Sequence, residues 1–125
     1  MEASVAVIVN EQNKVLCVSR KNKPDKFGLI GGKIEDSETP KNAVIREIEE
    51  ETDLQVLDCK YLYTHDCAGY DTFCFVVPMY SWMGTPKNNE GCTLKWMSFE
   101  ELLSCTEFPD YNKKTFELLK KGKFL

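Results

Sequence analysis

Apolar and polar residues alternate along this chain with two different periods. Residues 4–9 and 14–19 are rich in Val, Leu and Ile and flank Asn10-Glu11-Gln12-Asn13, a combination that predicts a β-hairpin. Residues 54–63 and 71–80 have the same character, with a turn expected over 66–70, and 92–98 make one more short strand. Between these groups the period lengthens to that of a helix. Residues 40–52 gather Val44, Ile45 and Ile48 on one face, with Thr39 suited to the N-cap and Pro40 to the first helical position. Residues 99–104 predict a short helix, and 111–121 an amphipathic one that turns Phe116, Leu118 and Leu119 inward. The polar stretch 82–91, with Gly84, Pro86, Asn88 and Asn89, is expected to be a loop. Strands in runs with helices interspersed indicate an α+β fold, a mixed sheet with helices on its faces. No repeat or linker divides the chain, so residues 1–125 are expected to form a single domain.

The helix over 40–52 has a second, charged face. At roughly 100° per residue, Glu47, Glu50 and Glu51 share an arc of about 100°, while Glu49 points elsewhere. Like charges three and four residues apart each cost about 0.2–0.5 kcal/mol, and carboxylates in the last turn oppose the helix dipole. Such a face is either simply solvated or offset by a cation. A hard divalent ion, Mg²⁺ or Mn²⁺, suits an all-oxygen ligand set and commonly bridges carboxylates to substrate phosphates. Upstream, Arg20, Lys21, Lys23 and Lys26 surround Pro24 in a basic stretch expected to be a loop, followed by Gly31, Gly32 and Lys33. These cations are either a solvated surface or one side of a charge clamp on phosphate oxygens, with the acidic helix opposite. The paired glycines let the backbone approach a ligand closely.

Composition narrows the possibilities. The chain has 125 residues, 42% hydrophobic and 29% charged, as expected of a soluble globular protein. Its apolar runs are too short to span a bilayer and its first residues lack a basic leader, so a cytoplasmic protein with no membrane partner is expected. A formal charge of -4 argues against a stable nucleic-acid partner. Cys17, Cys59, Cys67, Cys74, Cys92 and Cys105 include no CxxC pair, and only His65 could complete a Cys/His zinc site. Reduced thiols are therefore expected, with His65 at the surface.

Reading from Gly32, the chain supplies Glu38 after five residues, Arg46 and Glu47 after seven more, then Ile48, Glu50, Glu51 and Leu54. This closely resembles the signature of the Nudix hydrolase family, G-x5-E-x7-R-E-U-x-E-E-x-G-U, with U a bulky aliphatic. The mismatch is Asp53 where the family has glycine, which alters the helix exit and leaves the acidic face intact. Ile30 replaces a proline found in many members. The resemblance implies an α/β/α sandwich and metal-dependent cleavage of a phosphoanhydride in a nucleoside diphosphate linked to a further group. The Gly31 carbonyl, Glu47, Glu50, Glu51 and Glu90 are then the expected metal ligands. Glu47 or Glu90 takes a proton from water, Arg46 orients the carboxylates, and Gly32 and Glu38 shape the loop and helix start.

The second half is similar to the MutT-type nucleoside triphosphate pyrophosphohydrolases. Glu90-Gly91, then Trp96-Met97-Ser98, matches a segment in which a loop glutamate completes the metal site. Phe108-Pro109-x-x-Asn112 matches the place where an asparagine meets a purine, which an amide can do with one donor and one acceptor. Arg20, Lys21 and Lys33 are the expected phosphate contacts, and Leu29, Phe27 and Met79 the residues that shape the base pocket. The implied substrate is a nucleoside triphosphate, with an oxidised guanine nucleotide first to test, and the protein a monomer or homodimer. Rival readings are a Nudix hydrolase of dinucleoside polyphosphates, ADP-ribose or capped RNA, for the first of which Tyr70 is suggestive, and a catalytically silent nucleotide-sensing or protein-binding domain.

Overall fold

The computed structural model describes residues 1–88 and 90–125. Its strands are β1 (Glu2–Ile8), β2 (Val15–Arg20), β3 (Lys23–Lys33), β4 (Gln55–Val56), β5 (Lys60–Cys67), β6 (Tyr70–Val77), β7 (Trp82–Met83) and β8 (Leu94–Met97). Its helices are α1 (Pro40–Thr52), α2 (Phe99–Cys105) and α3 (Pro109–Lys121). Six strands form one sheet in the order β5-β6-β1-β3-β2-β8, and β4 pairs with β7. β1 runs parallel to β6, and the other pairs are antiparallel, so the sheet is mixed.

Alternation along the central strands builds two cores. Ala6 and Ile8 point to one side, where they meet Leu16, Ile30, and Val44 and Ile48 of α1. Val7, Val9 and Cys17 point to the other, against Phe99 and Leu102 of α2 and Tyr111 and Leu119 of α3. A sheet buried on both faces by helices is the α/β/α sandwich expected from the sequence. On α3 the inward face is Tyr111, Asn112, Thr115 and Leu119, with Phe116 and Leu118 only half-buried at its margins. α1 has the termini expected: the Thr39 side chain accepts from the Asn42 N–H at 3.1 Å, and Asp53 takes the left-handed conformation (φ 63°) with its N–H donating to the Glu49 carbonyl.

Several expectations are corrected. β1 and β2 do not form a hairpin ladder; they meet at the Val9–Val15 bridge, where the Asn10 N–H donates to the Lys14 carbonyl at 3.0 Å, and then diverge. β3 enters between them, because its eleven residues are long enough to pair Leu29 with Cys17 of β2 and Gly31 with Val5 of β1. The basic stretch is accordingly strand rather than loop from Lys23 onward, and Pro24 is accommodated where the β2–β3 register is irregular. Residues 54–63 divide into β4 and the start of β5, and the next turn is Ala68-Gly69, both with positive φ. The stretch 82–91 opens as β7 because Trp82 and Met83 pair with Val56 and Gln55. α3 begins at Pro109, ahead of the expected 111, and β8 at Leu94, after the expected 92.

Candidate active site

The site begins where β3 passes beneath α1. The Ser4 hydroxyl donates to the Pro40 carbonyl at 2.9 Å, which ties β1 to the first turn of the helix. A Cβ on Gly32 would stand 2.7 Å from the Glu47 carboxylate, and one on Gly31 would collide with the Ser4 carbonyl. Gly32 thus lets the strand run directly under the acidic helix, and Gly31 lets it lie close against β1.

Arg46 organises the carboxylates around it. Its guanidinium grips Glu38 through Nε (2.8 Å) and Nη2 (2.9 Å), and its Nη1 donates to Glu47 at 2.9 Å and Glu50 at 3.3 Å. Nη2 also donates to the Lys33 carbonyl at 3.2 Å. Glu38 accepts in addition from the Glu35 N–H at 2.9 Å. The Arg46 hydrogen bonds, followed by that amide, hold the Glu38 carboxyl below the ordinary range, while Glu38 holds the guanidinium firmly protonated.

Glu51 is placed quite differently. Its Oε2 is buried without a hydrogen-bond partner. Burial, then the neighbouring Glu47 and Glu90 carboxylates, push its pKa up to about 8, and only the Gly31 amide favours its charged form. Glu50 is more exposed and lies on the Arg46 side. Glu90 is exposed, with its N–H donating to Asn88 Oδ1 at 2.8 Å; Asn89 lies outside the described residues.

Two adjoining cavities open on this region. The first, about 430 Å³, is lined by Glu51, Glu90, Arg20, Lys21, Lys23 and Glu107 among others. The second, about 420 Å³, is lined by Gly28, Lys33, Tyr70, Phe108, Tyr111 and Asn112, and both share Val18, Arg20, Leu29 and Gly31 as a common wall. Arg20 and Lys23 are already paired with Glu107, at 3.0 and 2.8 Å, and the Arg20 guanidinium lies 5.6 Å from the centre of the Phe108 ring. Lys33 lies over the Tyr70 ring, on the side of the second cavity rather than the first. Phe27 and Met79 line neither cavity; Phe27 packs into the core beneath α2 and α3. His65 is exposed and stacks on Tyr63.

The family model for the NUDIX domain matches residues 1–119. The chain belongs to the Nudix family. Across 97% of both chains it is 30% identical to the 8-oxo-dGTP diphosphatase of Escherichia coli (strain K12). It is 29% identical to the CTP pyrophosphohydrolase of the same organism, over 79% of this chain and 77% of that one. A solved MutT structure, from work on Aliivibrio salmonicida and Vibrio cholerae, superposes with a TM-score of 0.77 at 21% identity, covering 96% of this chain and 97% of that one.

As a Nudix hydrolase the protein acts on phosphoanhydride bonds, and the family generally needs a divalent metal ion. The residues present fit one. An orphaned carboxylate oxygen on Glu51, pressed against Glu47, is a position where a cation relieves the repulsion that a proton otherwise relieves. Among the described residues no group of three acidic, thiol or imidazole side chains is already gathered around one point. Mg²⁺ tolerates that, since it usually keeps several waters and takes only one or two carboxylates plus substrate phosphates. Glu107 is absent from the residues that the sequence points to. Nothing in the residues around Glu107 reveals that it neutralises two cations brought from β2 and β3.

Proposed function

We propose that the protein is a Mg²⁺-dependent, MutT-like pyrophosphohydrolase of purine (deoxy)nucleoside triphosphates, releasing the nucleoside monophosphate and pyrophosphate. The observation that carries this reading is the pairing of a cavity lined by charges of both signs, with its unpartnered Glu51 oxygen, and an adjoining aromatic cavity that contains Asn112. The 8-oxo-dGTP diphosphatase relative supports it and makes the oxidised guanine nucleotide the first substrate to test.

Glu47, Glu50, Glu51, Glu90 and the Gly31 backbone would hold the ion, with Mn²⁺ as a substitute. Bound there, the ion polarises phosphoryl oxygens and lowers the pKa of a water. Arg46 fixes the Glu47 and Glu50 carboxylates, leaving them little freedom to reorganise. Because Glu47 is already committed to Arg46, Glu90 is the better proton acceptor for the attacking water. Arg20 and Lys21 contact phosphate oxygens at the rim of the first cavity, which for Arg20 requires Glu107 to give way. Lys33 and Leu29 flank the sugar and base, and Asn112 meets the base edge in the second cavity, which Phe108 and Tyr111 also line. We place the protein in the cytoplasm, where six free cysteines stay reduced.

The test is a panel of purine, pyrimidine and 8-oxo-purine triphosphates incubated with and without MgCl₂, with pyrophosphate and orthophosphate measured separately. Pyrophosphate released from purine triphosphates only in the presence of the ion is expected. Release of orthophosphate, or equal turnover of every base, would overturn the assignment.

A further inference from the structure

An asparagine selects a base only if its amide is held one way round, since a freely turning amide offers either a donor or an acceptor to whatever edge arrives. Asn112 is only 3% exposed, and its Nδ2 donates to Thr106 Oγ1 at 2.9 Å. Thr106, itself buried, accepts a second hydrogen bond at the same oxygen from the Phe108 N–H at 3.1 Å. Its own N–H closes α2 on the Leu102 carbonyl at 2.9 Å. Both lone pairs of the hydroxyl are therefore filled, and its position is set by the end of α2, a different element from the helix that carries Asn112. Among the described residues nothing donates to the Asn112 carbonyl oxygen.

We infer that Thr106 is a positioning residue for base selection. It keeps the amide nitrogen of Asn112 turned toward the protein, so that the carbonyl oxygen is offered to the second cavity as an acceptor. The edge recognised is then one that presents an N–H donor. This rests on the aromatic cavity being the base site, as proposed above. Tyr111 keeps the wall beside it fixed: its hydroxyl donates to the Thr72 carbonyl at 3.2 Å, and its carbonyl accepts from Tyr63 and Thr115.

The experiment compares kcat/KM for the preferred purine triphosphate with that for ribose 5′-triphosphate, which has no base, in the wild-type protein and in Thr106→Val, Thr106→Ser and Asn112→Ala. The purine-to-ribose ratio should fall about fivefold to tenfold in Thr106→Val, the range expected from one neutral buried hydrogen bond. It should recover in Thr106→Ser, which restores the hydroxyl, and fall no further when Thr106→Val is combined with Asn112→Ala. A merely structural role would lower both substrates alike and leave the ratio where it was. If Asn112→Ala lowers the ratio and Thr106→Val does not, this inference fails while the base site stands. If neither changes it, both fail. Should the valine variant not fold, Thr106→Ala is read by the same criteria.

Discussion

Among individual residues, Glu51 has the most unusual environment. A helical wheel makes Glu47, Glu50 and Glu51 equivalent members of one arc, yet the structure gives Glu50 to Arg46 and buries a Glu51 oxygen with no partner. Only the path of β3 beneath α1 distinguishes them, and that path is tertiary information. Glu51→Gln removes a carboxyl that must take up a proton to stay buried, so at neutral pH the ion-free protein should become more stable, melting a few degrees higher by calorimetry. The same change should reduce turnover by about 100-fold or more, because it takes a charged oxygen from the ion and the phosphates. A variant that melts higher and still turns over at the wild-type rate would remove Glu51 from the chemistry.

For the elements, legibility follows how local the signal is. Both ends of α1 are legible because Thr39, Pro40 and Asp53 act on neighbours within one turn. The pairing of β1 and β2 is not legible, because the hairpin signal at Asn10–Asn13 extends over one bridge and the insertion of β3 depends on partners far along the chain. The break between β4 and β5 and the strand character of β7 are hidden for the same reason: β4 and β7 are two residues long each and pair with one another. Asp53→Gly relieves a left-handed backbone at the α1 exit and should stabilise by about 0.5–1 kcal/mol, measurable as a higher urea midpoint with little change in kcat. Glu107 joins the segment between α2 and α3 to β2 and β3 through its ion pairs with Arg20 and Lys23, and under the proposed function a triphosphate has to displace it from Arg20. Glu107→Gln should therefore lower KM for the triphosphate several-fold at low ionic strength, an advantage that fades as salt screens the freed cations. An unchanged KM would mean that Arg20 does not meet phosphate.

The molecule as a whole carries two sets of perturbed carboxyls with opposite consequences. Glu51 binds its proton more tightly when folded, between the ordinary glutamate value of 4.5 and about 8, so the ion-free fold loses stability as pH rises through that window. Glu38, Glu101 and Glu107 have depressed values, held down by Arg46, by the Ser98 amide and by Lys23 respectively, and their contribution is lost on acidification. Thermal melts in EDTA should therefore peak at mildly acidic pH and decline toward pH 8, about where the Glu51 effect is complete. Excess MgCl₂ should flatten the alkaline side of that profile by replacing the proton with a metal ion, and a profile identical with and without the ion would argue against binding there.

The wall common to the two cavities has one more consequence. Leu29 and Gly31 sit two positions apart on the same strand, separated by about 6–7 Å, and each faces both chambers. A single rigid edge thereby acts as a ruler. Under the proposed function, a ligand anchored by its ring at one end would have its breakable linkage delivered to a fixed distance from the carboxylates, so a spacer one atom longer or shorter should bind yet be cut poorly.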